Sequence, residues 1–524
     1  RNLGPALQFE TGLTGTPYAV ATYRQDAQLA TYRIPNTTNL GYTYSIVPGE
    51  FTFFNPTNPA FASNAANYNQ FEFGTTLENQ REEALTARAN ISYNLEPEDR
   101  GFGLAAGGYL RFLDRTFDFT QDNYRPAANN AFRLSSVLAP ETFAPYNGNG
   151  QTLLFVDPAG ALAFFDANRS GFPANATNVN ASLQSDYDLK ENITAAYVMG
   201  RYATDNIRLT GGLRYEGTHL ATGSNTLRAG VFTYGRTERD YHQWLPSAQM
   251  DWDVTSQFRV RAAFSRTIGR PNYGDLAARA SITTATDGAV TISSGNPNLR
   301  PRRSDNFDLS LEFYPRRDIV LSIAGFAKNI DDEILTVRNQ ATEIFEGVSE
   351  LVTRVQPVNG SASRVKGVEL NAVVANLWFL PKPLDGLGFS ANLTLLDPTP
   401  PSITLADGVT QRQLTHLFES NNVVANVKLF YTLGPVTVQG AWNHLSPQLF
   451  SVSTTDRLQD RVFAAIDIFD AQVRFELSRN VTIVAQGKNL TNSRPRRMFG
   501  PNFGLLREEL DNGSAYYIGA LVRF

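Results

Sequence analysis

Along much of the chain, apolar and polar residues alternate with a period of two. Phe258, Val260 and Phe264 alternate with Arg259, Arg261 and Ser265. Ile207, Leu209, Leu213 and Tyr215 alternate with Arg208, Thr210 and Arg214. Phe307, Leu309, Leu311 and Phe313 alternate with Asp308, Ser310 and Glu312, and Phe469 to Leu477 alternate with Asp470 to Ser478. This period sends one set of side chains to each face of a strand. Strands are expected near 7–24, 81–96, 101–118, 189–204, 206–221, 236–253, 257–270, 303–315, 318–338, 361–380, 385–398, 414–432, 434–447, 461–478, 480–492 and 512–524.

The apolar face meets either a soluble core or lipid. Two features favour lipid. The opposite face is heavily charged over long strands, as a wet lumen permits. The connections also sort by length. Short links fall at 96–100, 204–206, 254–256, 315–317, 433–434 and 479–480, and long ones such as 120–189 and 269–303 lie between them. Short periplasmic turns and long extracellular loops mark an outer-membrane barrel. The expected fold is therefore all-β, an antiparallel transmembrane β-barrel contributing about 15–16 strands. Several strands exceed the ~9–11 residues needed to cross and should project beyond the bilayer. Segments 25–80 and 119–188 read as long external loops. In the second, Asp157 as N-cap and Pro158 at the first helical position predict a short helix to Asn168. A hairpin is expected over 339–360, and no composition break marks a second domain.

Composition narrows the chemistry. The 35 Phe and 21 Tyr against 3 Met favour strands over helices. There is no Cys, so disulfides, thiolate metal sites and a cysteine nucleophile are excluded. The four His lie far apart, and neither a metal site nor a cofactor is expected. Forty-six Lys+Arg against 50 Asp+Glu gives a net charge of −4, which argues against a nucleic-acid surface. The carboxylate pairs Asp331-Asp332 and Glu508-Glu509 are sequence neighbours, which point to opposite faces of a strand and make poor acid/base partners. His242 and His444 have no evident Ser or Asp partner, so an enzyme is not expected. No apolar run approaches the ~18 residues of a membrane helix. Residues 1–5 do not read as a signal peptide, and the chain is expected to be processed or a fragment.

Several blocks resemble those of a known family. Arg270-Pro271-Asn272-Tyr273, Gly295-Asn296-Pro297-Asn298-Leu299-Arg300-Pro301, Ser304-Asp305-Asn306-Phe307-Asp308-Leu309 and Phe326-Ala327-Lys328-Asn329-Ile330-Asp331-Asp332 are similar to the barrel of TonB-dependent outer-membrane receptors. The likeness is to the large proteobacterial subfamily first noted in xanthomonads and caulobacters. Val365-Lys366-Gly367-Val368-Glu369-Leu370, Pro383-Leu384-Asp385-Gly386-Leu387-Gly388 and Lys488-Asn489-Leu490-Thr491-Asn492 match later blocks, so the likeness covers roughly residues 81–524. We read these blocks as architectural: Asn296-Pro297-Asn298 as turn chemistry, Gly367 and Gly487 as close backbone approaches.

The resemblance implies a bacterial outer-membrane receptor that binds a scarce solute at its extracellular loops. It would import that solute with energy delivered by TonB. It also implies a barrel of about 22 strands filled by an N-terminal plug. No plug or TonB-contact segment is recognisable here. The expectation is that residues 1–524 form the C-terminal part of the barrel. The plug and about six or seven first strands would then be a separate chain or a part outside this sequence. Partners would be outer-membrane lipid, the TonB complex through that plug, and a surface lipoprotein. A passive porin-like channel and a membrane scaffold stay open as alternatives. Loop aromatics that suit sugar rings or chelate faces are Tyr42, Tyr44, Phe53, Phe54, Tyr124, Phe132, Tyr146, Phe164 and Phe165.

Tyr516, Ile518, Ala520, Val522 and Phe524 alternate to a terminal aromatic. This end resembles the signature by which the outer-membrane assembly machinery recognises its clients. Deleting Phe524 is therefore expected to impair membrane insertion more than a mid-loop deletion of similar size. Heat-modifiable mobility of membrane fractions measures this, and normal insertion of the truncated chain would rule out the signal.

Overall fold

A computed structural model describes residues 7–16, 24–33, 42–45, 53–68, 70–124, 133–140, 154–173, 182–228, 231–277, 279–284, 290–345, 348–405, 409–500 and 504–523. Seventeen strands form one sheet. They are β1 (Leu7–Thr16), β2 (Arg24–Arg33), β3 (Gln70–Tyr93), β4 (Gly101–Tyr124), β5 (Tyr187–Ala203), β6 (Ile207–Arg228), β7 (Val231–Asp253) and β8 (Phe258–Gly269). They continue with β9 (Arg302–Arg316), β10 (Ile319–Asp331), β11 (Ser363–Val374), β12 (Leu387–Thr399), β13 (Val423–Leu433), β14 (Val436–Leu445), β15 (Ile466–Ser478), β16 (Val481–Lys488) and β17 (Ala515–Val522). From β3 to β17 each strand pairs antiparallel with its successor in the chain. β1 and β2 lie end to end along the free side of β3, opposite its residues 84–93 and 70–78. Among the described residues β17 pairs only with β16, and β1 and β2 only with β3.

The ladder is staggered as a barrel wall requires. One hydrogen-bonded row runs Phe102, Tyr202, Leu209, Met250, Ala262, Leu309. It continues through Gly325 and Val368 to Leu395. It begins at the second residue of β4 and ends well inside β12, so the strands tilt across the row. At Gly367 an added Cβ would lie 2.6 Å from the Leu395 carbonyl oxygen and 2.6 Å from the Phe326 ring, the close approach expected there.

The outward face carries an apolar belt between two aromatic rows. Phe102 (76% exposed) meets Tyr202 at a ring-centroid distance of 4.9 Å near the short-turn end. Trp378 and Phe379, on the short-turn side, are also exposed, and Arg316 lies 4.8 Å over the Trp378 ring. Farther up, Tyr215 packs on Trp244 at 4.9 Å. Trp244 and Trp252 share one face of β7, about 26 Å apart along the strand at ~3.3 Å per residue. A band of this height fits the hydrocarbon region of an outer membrane. Above the belt the same outward face becomes charged. Lys190 pairs with Asp114 at 2.8 Å, Arg266 with Asp305 at 2.6 Å and Lys366 with Asp397 at 2.9 Å. The strands do project beyond lipid.

The inward face is polar along β7 to β9. Arg259 pairs with Asp253, and Arg261 bridges Glu312 at 2.9 Å and Asp251 at 3.4 Å. Above the wall, strands from four different loops join in a second, eight-stranded sheet. Its order runs Ala280–Thr284, Val290–Ser294, Val348–Asn359, Ile334–Phe345, Gln448–Ser453, Arg461–Phe463, Arg496–Phe499, Leu505–Glu509. Two of its contacts, Val290–Ser294 with Val348–Asn359 and Ile334–Phe345 with Gln448–Ser453, are parallel and join loops distant in sequence. Leu335, Leu449, Val452 and Val462 of these loops form a buried core with Ile403 and Leu414 of the loop between β12 and β13.

Several sequence boundaries are corrected. Segment 25–80 is not one loop: it holds β2, the small hairpin Tyr42–Ser45 with Phe53–Pro56, and the start of β3. Strands expected over 206–221 and 236–253 extend to Arg228 and from Val231. In both cases the added residues stand above the belt, where polar and small side chains occupy both faces and the alternation that marks a strand disappears. The expected helix is present at Pro158–Ala167, with the Asp157 side chain accepting from the Ala159 N–H.

Val260 pairs with Leu311 and Trp252, on the belt face, whereas Arg261 pairs with Ser310 and Asp251 on the luminal face. Replacing Val260 by Arg is expected to cost about 2–4 kcal/mol if it sits near the midplane. Site-directed labelling should find position 260 in lipid and 261 in water, and the reverse would defeat this register.

Candidate functional site

The luminal mouth is shaped by the segment that follows β8. Arg270 and Pro271 carry the chain inward, and Tyr273–Leu276 form one helical turn. Leu276, Ala277 and Leu299 pack on the wall residues Leu113, Leu189 and Leu220, with Tyr273 against them. This ledge is clamped from its far side. The Gly295 N–H donates to the Arg279 carbonyl at 3.2 Å, and the Asn296 N–H to the Asp275 carbonyl at 2.6 Å. A Cβ at Gly295 would stand 1.9 Å from the Ala277 carbonyl oxygen, so only glycine fits. Asn296 Nδ2 donates to the Pro357 carbonyl at 3.1 Å, and Arg239 to the Asn298 and Leu299 carbonyls, both at 2.8 Å. The blocks at 270–273 and 295–301 therefore hold the ledge to the wall and to the hairpin Ile334–Asn359, as their architectural reading expects.

Under the ledge lies a charge cluster. The Glu191 side chain is 2% exposed. It accepts from Arg111 at 3.3 Å and from the Tyr273 hydroxyl at 3.2 Å. Arg270 Nε lies 3.5 Å from Glu191, near enough for attraction but not aligned as a hydrogen bond, and the same guanidinium binds Glu216 and Thr218. Arg214 adds a second contact to Glu216 at 2.9 Å. Burial, with the Glu191 carboxylate beside it, pushes the Tyr273 hydroxyl up to about 12, so it stays a donor at any physiological pH. This is a lattice of opposite charges in which only Arg270 Nε lacks an aligned acceptor among the atoms just named, and it orients the ledge.

Two polar cavities of about 330 Å³ each flank Asp275 beneath the loop sheet. One is lined by Gln184, Asp275, Arg279, Ser293, Ser294 and Thr336 among others. The other is lined by Arg270, Asp275, Arg302, Glu333, Phe418, Glu419 and Phe450. A larger concavity of about 800 Å³, lined by Phe102, Leu104, Tyr202, Met250 and Phe264, belongs to the belt face and opens to lipid. It is a dip where Gly200, Gly211 and Ala248 leave the wall thin, far from the luminal mouth.

The aromatic candidates divide. Phe165 is 5% exposed in a loop core with Leu134, Val137, Ala161 and Phe172. Tyr124 packs on it at 5.0 Å, Phe164 lies half-buried against Phe172 at 6.1 Å, and Arg169 stacks over Tyr124 at 4.0 Å. These three are brought together, with one another rather than around a cavity. Tyr42 and Tyr44 pair with Pro56 and Phe54 in a small hairpin that also holds Phe53. Phe132, Tyr146 and Phe524 lie outside the described residues. Tyr516, Ile518 and Val522 sit on β17 and are exposed. The carboxylate pairs are tied up singly: Asp331 with Arg303, Asp332 with Arg300, Glu508 with Arg497, Glu509 with Arg494 and Arg496. Among the described residues no His, Asp and Glu side chains group as metal ligands. Gln184, Asp275, Arg279 and Glu333 were not picked out from the sequence. They come from three loops, Asp275 and Arg279 sharing one, and no local spacing marks their convergence with Gln184 and Glu333.

Tilted antiparallel strands, an apolar belt edged with aromatics, a charged lumen and loops sorted by length define a transmembrane β-barrel of the bacterial outer membrane. No described helix is long and apolar enough to cross a membrane; the crossing is made by strands. Residues 14–490 match the family described as TonB dependent receptor-like, beta-barrel, and the chain belongs to it. The fold is similar to that of the ferric yersiniabactin uptake receptor of Yersinia pestis, at 12% identity and a TM-score of 0.50, covering 87% of this chain and 57% of that one. The ferric citrate transporter is similar at 13% identity and 0.49, covering 86% and 58%. A copper transporter is similar at 14% and 0.47, covering 87% and 66%. The chain thus spans less than two thirds of each of these structures. No curated protein matches it.

Replacing Arg270 by Ala would leave Glu216 with Arg214 alone and take one of two cations from the buried Glu191. The expected loss is about 3–5 kcal/mol of unfolding stability, typical when one partner of a buried ion pair is removed. Urea titration of the vesicle-inserted protein measures it. A loss of only ~0–1 kcal/mol would mark a solvated surface cluster instead.

Proposed function

We propose that this chain is the receptor wall and mouth of an active outer-membrane importer. A scarce solute binds between the extracellular loops and the luminal ledge, and TonB-derived energy then releases it inward. The observation that carries this reading is the four-loop sheet roofing two polar cavities at the mouth. A diffusion channel has no use for loops stapled together over its entrance. Half-buried Phe164 and the hairpin aromatics Tyr42, Tyr44, Phe53 and Phe54 are proposed as the rim that first meets the solute.

The reading also places a plug domain and further strands beyond this chain, coupled to TonB. Both faces of β17 support this: Ile518 is 83% exposed on one and Tyr517 58% on the other, so its luminal side wants a filler. Its second edge, unpaired among the described residues, would within lipid leave N–H and C=O groups without partners, at several kcal/mol each, and foreign strands would pair them. A surface lipoprotein would dock on the same loop sheet.

Transport decides the matter. Cells lacking the intact receptor, and cells lacking TonB, should lose accumulation of the same solute. The purified full receptor should show no steady conductance in a planar bilayer. Uptake that persists without TonB, together with steady conductance, would replace this reading with a passive porin.

A further inference from the structure

The luminal arginines around the ledge are paired: Arg111 and Arg270 with Glu191, Arg214 with Glu216, Arg302 with Glu333. Arg279 is different. Its guanidinium carbon lies 5.2 Å from the Phe117 ring centroid and 5.2 Å from that of Tyr187. Those two rings stack at 5.2 Å with an interplanar angle of 18°. Among the described residues the Arg279 side chain makes no hydrogen bond and no ion pair. A ring platform engages the cation without using its N–H groups, so the donor fork stays open.

A second unused group lines the same cavity. Gln184 is 4% exposed, and its amide has no hydrogen-bond partner among the described residues. A side chain this deep in the protein rarely leaves its amide without a protein partner. One that borders a polar cavity beside an unpaired guanidinium points to a missing acceptor. Asp275 also lines this cavity, but it accepts from Asn272 Nδ2 at 3.2 Å and forms no ion pair with Arg279.

We infer that Arg279 and Gln184 form an oxyanion-binding subsite. A carboxylate or phosphate group of the solute docks on the guanidinium fork, which matches two oxygens at once. Gln184 donates a further hydrogen bond. The free oxygen of Asp275 receives the solute's neutral polar groups. The inference rests on the receptor reading for its purpose, and it narrows the solute to a small hydroxylated acid.

The test is calorimetric titration of the full receptor in detergent with succinate and with inorganic phosphate. The unaltered protein should bind at least one, and which one it prefers tells carboxylate from phosphate. Arg279→Gln should weaken that binding about tenfold or more, as expected for a lost charge-assisted bond. Arg279→Lys should restore part of it, and Gln184→Ala should cost less than Arg279→Gln. Heat-modifiable mobility checks that each variant is folded. If Arg279→Gln does not fold, Arg279→Lys and Gln184→Ala both binding as the unaltered protein does would overturn the subsite. Absence of binding to both probes at millimolar concentration, or unchanged binding by folded Arg279→Gln, would overturn it as well. In either case TonB-dependent uptake could persist, leaving the receptor reading intact. Oxyanion binding that depends on Arg279 beside TonB-independent uptake would instead keep the subsite and remove the importer.

Discussion

Lipid offers no hydrogen-bond partners, so every backbone N–H and C=O inside the belt must be paired by a neighbouring strand. That one requirement organises this molecule. It makes β3 to β17 pair in unbroken succession, and it makes the ladder stagger as the sheet curves. It also gives the two sheet edges their importance. Elsewhere an edge strand can be blunted by charge or bathed in water. Within a hydrocarbon layer it needs another strand.

Once the backbone is paired, side chains are free to serve two solvents. The outward face is apolar from Phe102 to Phe112 on β4 and charged at Asp114, a change of solvent over one step of the alternation. The inward face can carry Arg259, Arg261 and Glu312 because its exterior is aqueous and its charges neutralise one another across neighbouring strands. Above the belt the strands no longer need to be flat wall. There the loops acquire apolar cores of their own, as around Phe165 and around Leu335, and strand pairing between distant loops takes the place of lipid in ordering them.

The wall was legible because its two faces differ sharply. In β8, with Phe258, Val260 and Phe264, the period of two is strong and the boundaries fall within a residue, whereas the strand expected over 318–338 ends at Asp331 and the one expected over 414–432 starts only at Val423. Where strands rise above the belt the contrast between faces fades, which is why the alternation does not mark β2, the start of β3 or the hairpin end of β6 and β7. The Asp157-Pro158 helix start was legible for a local reason, since a cap and a fixed φ act within three residues. The mouth was not legible. Gln184, Asp275 and Arg279 meet through a sheet whose parallel contacts join positions more than fifty residues apart, and no local pattern encodes such a meeting.

The aromatic residues show why counting loop side chains is a poor guide to a binding surface. A loop of about 60 residues with no lipid beneath it must bury something to hold a shape, and its Phe and Tyr are the best material for that. Phe165 and Tyr124 are used so, as a tilted pair that an arginine, Arg169, covers. Phe117 and Tyr187 make a ring pair, here stacked, under Arg279. The difference lies in where the guanidinium edge points. The Arg169 edge donates to the Phe172 carbonyl at 2.8 Å and so completes a fold. The Arg279 edge has no protein acceptor among the described residues and borders a cavity. The same ring-and-cation motif therefore builds structure in one loop and leaves a charge on offer in the other, and the unsatisfied donors, not the rings, tell the two apart.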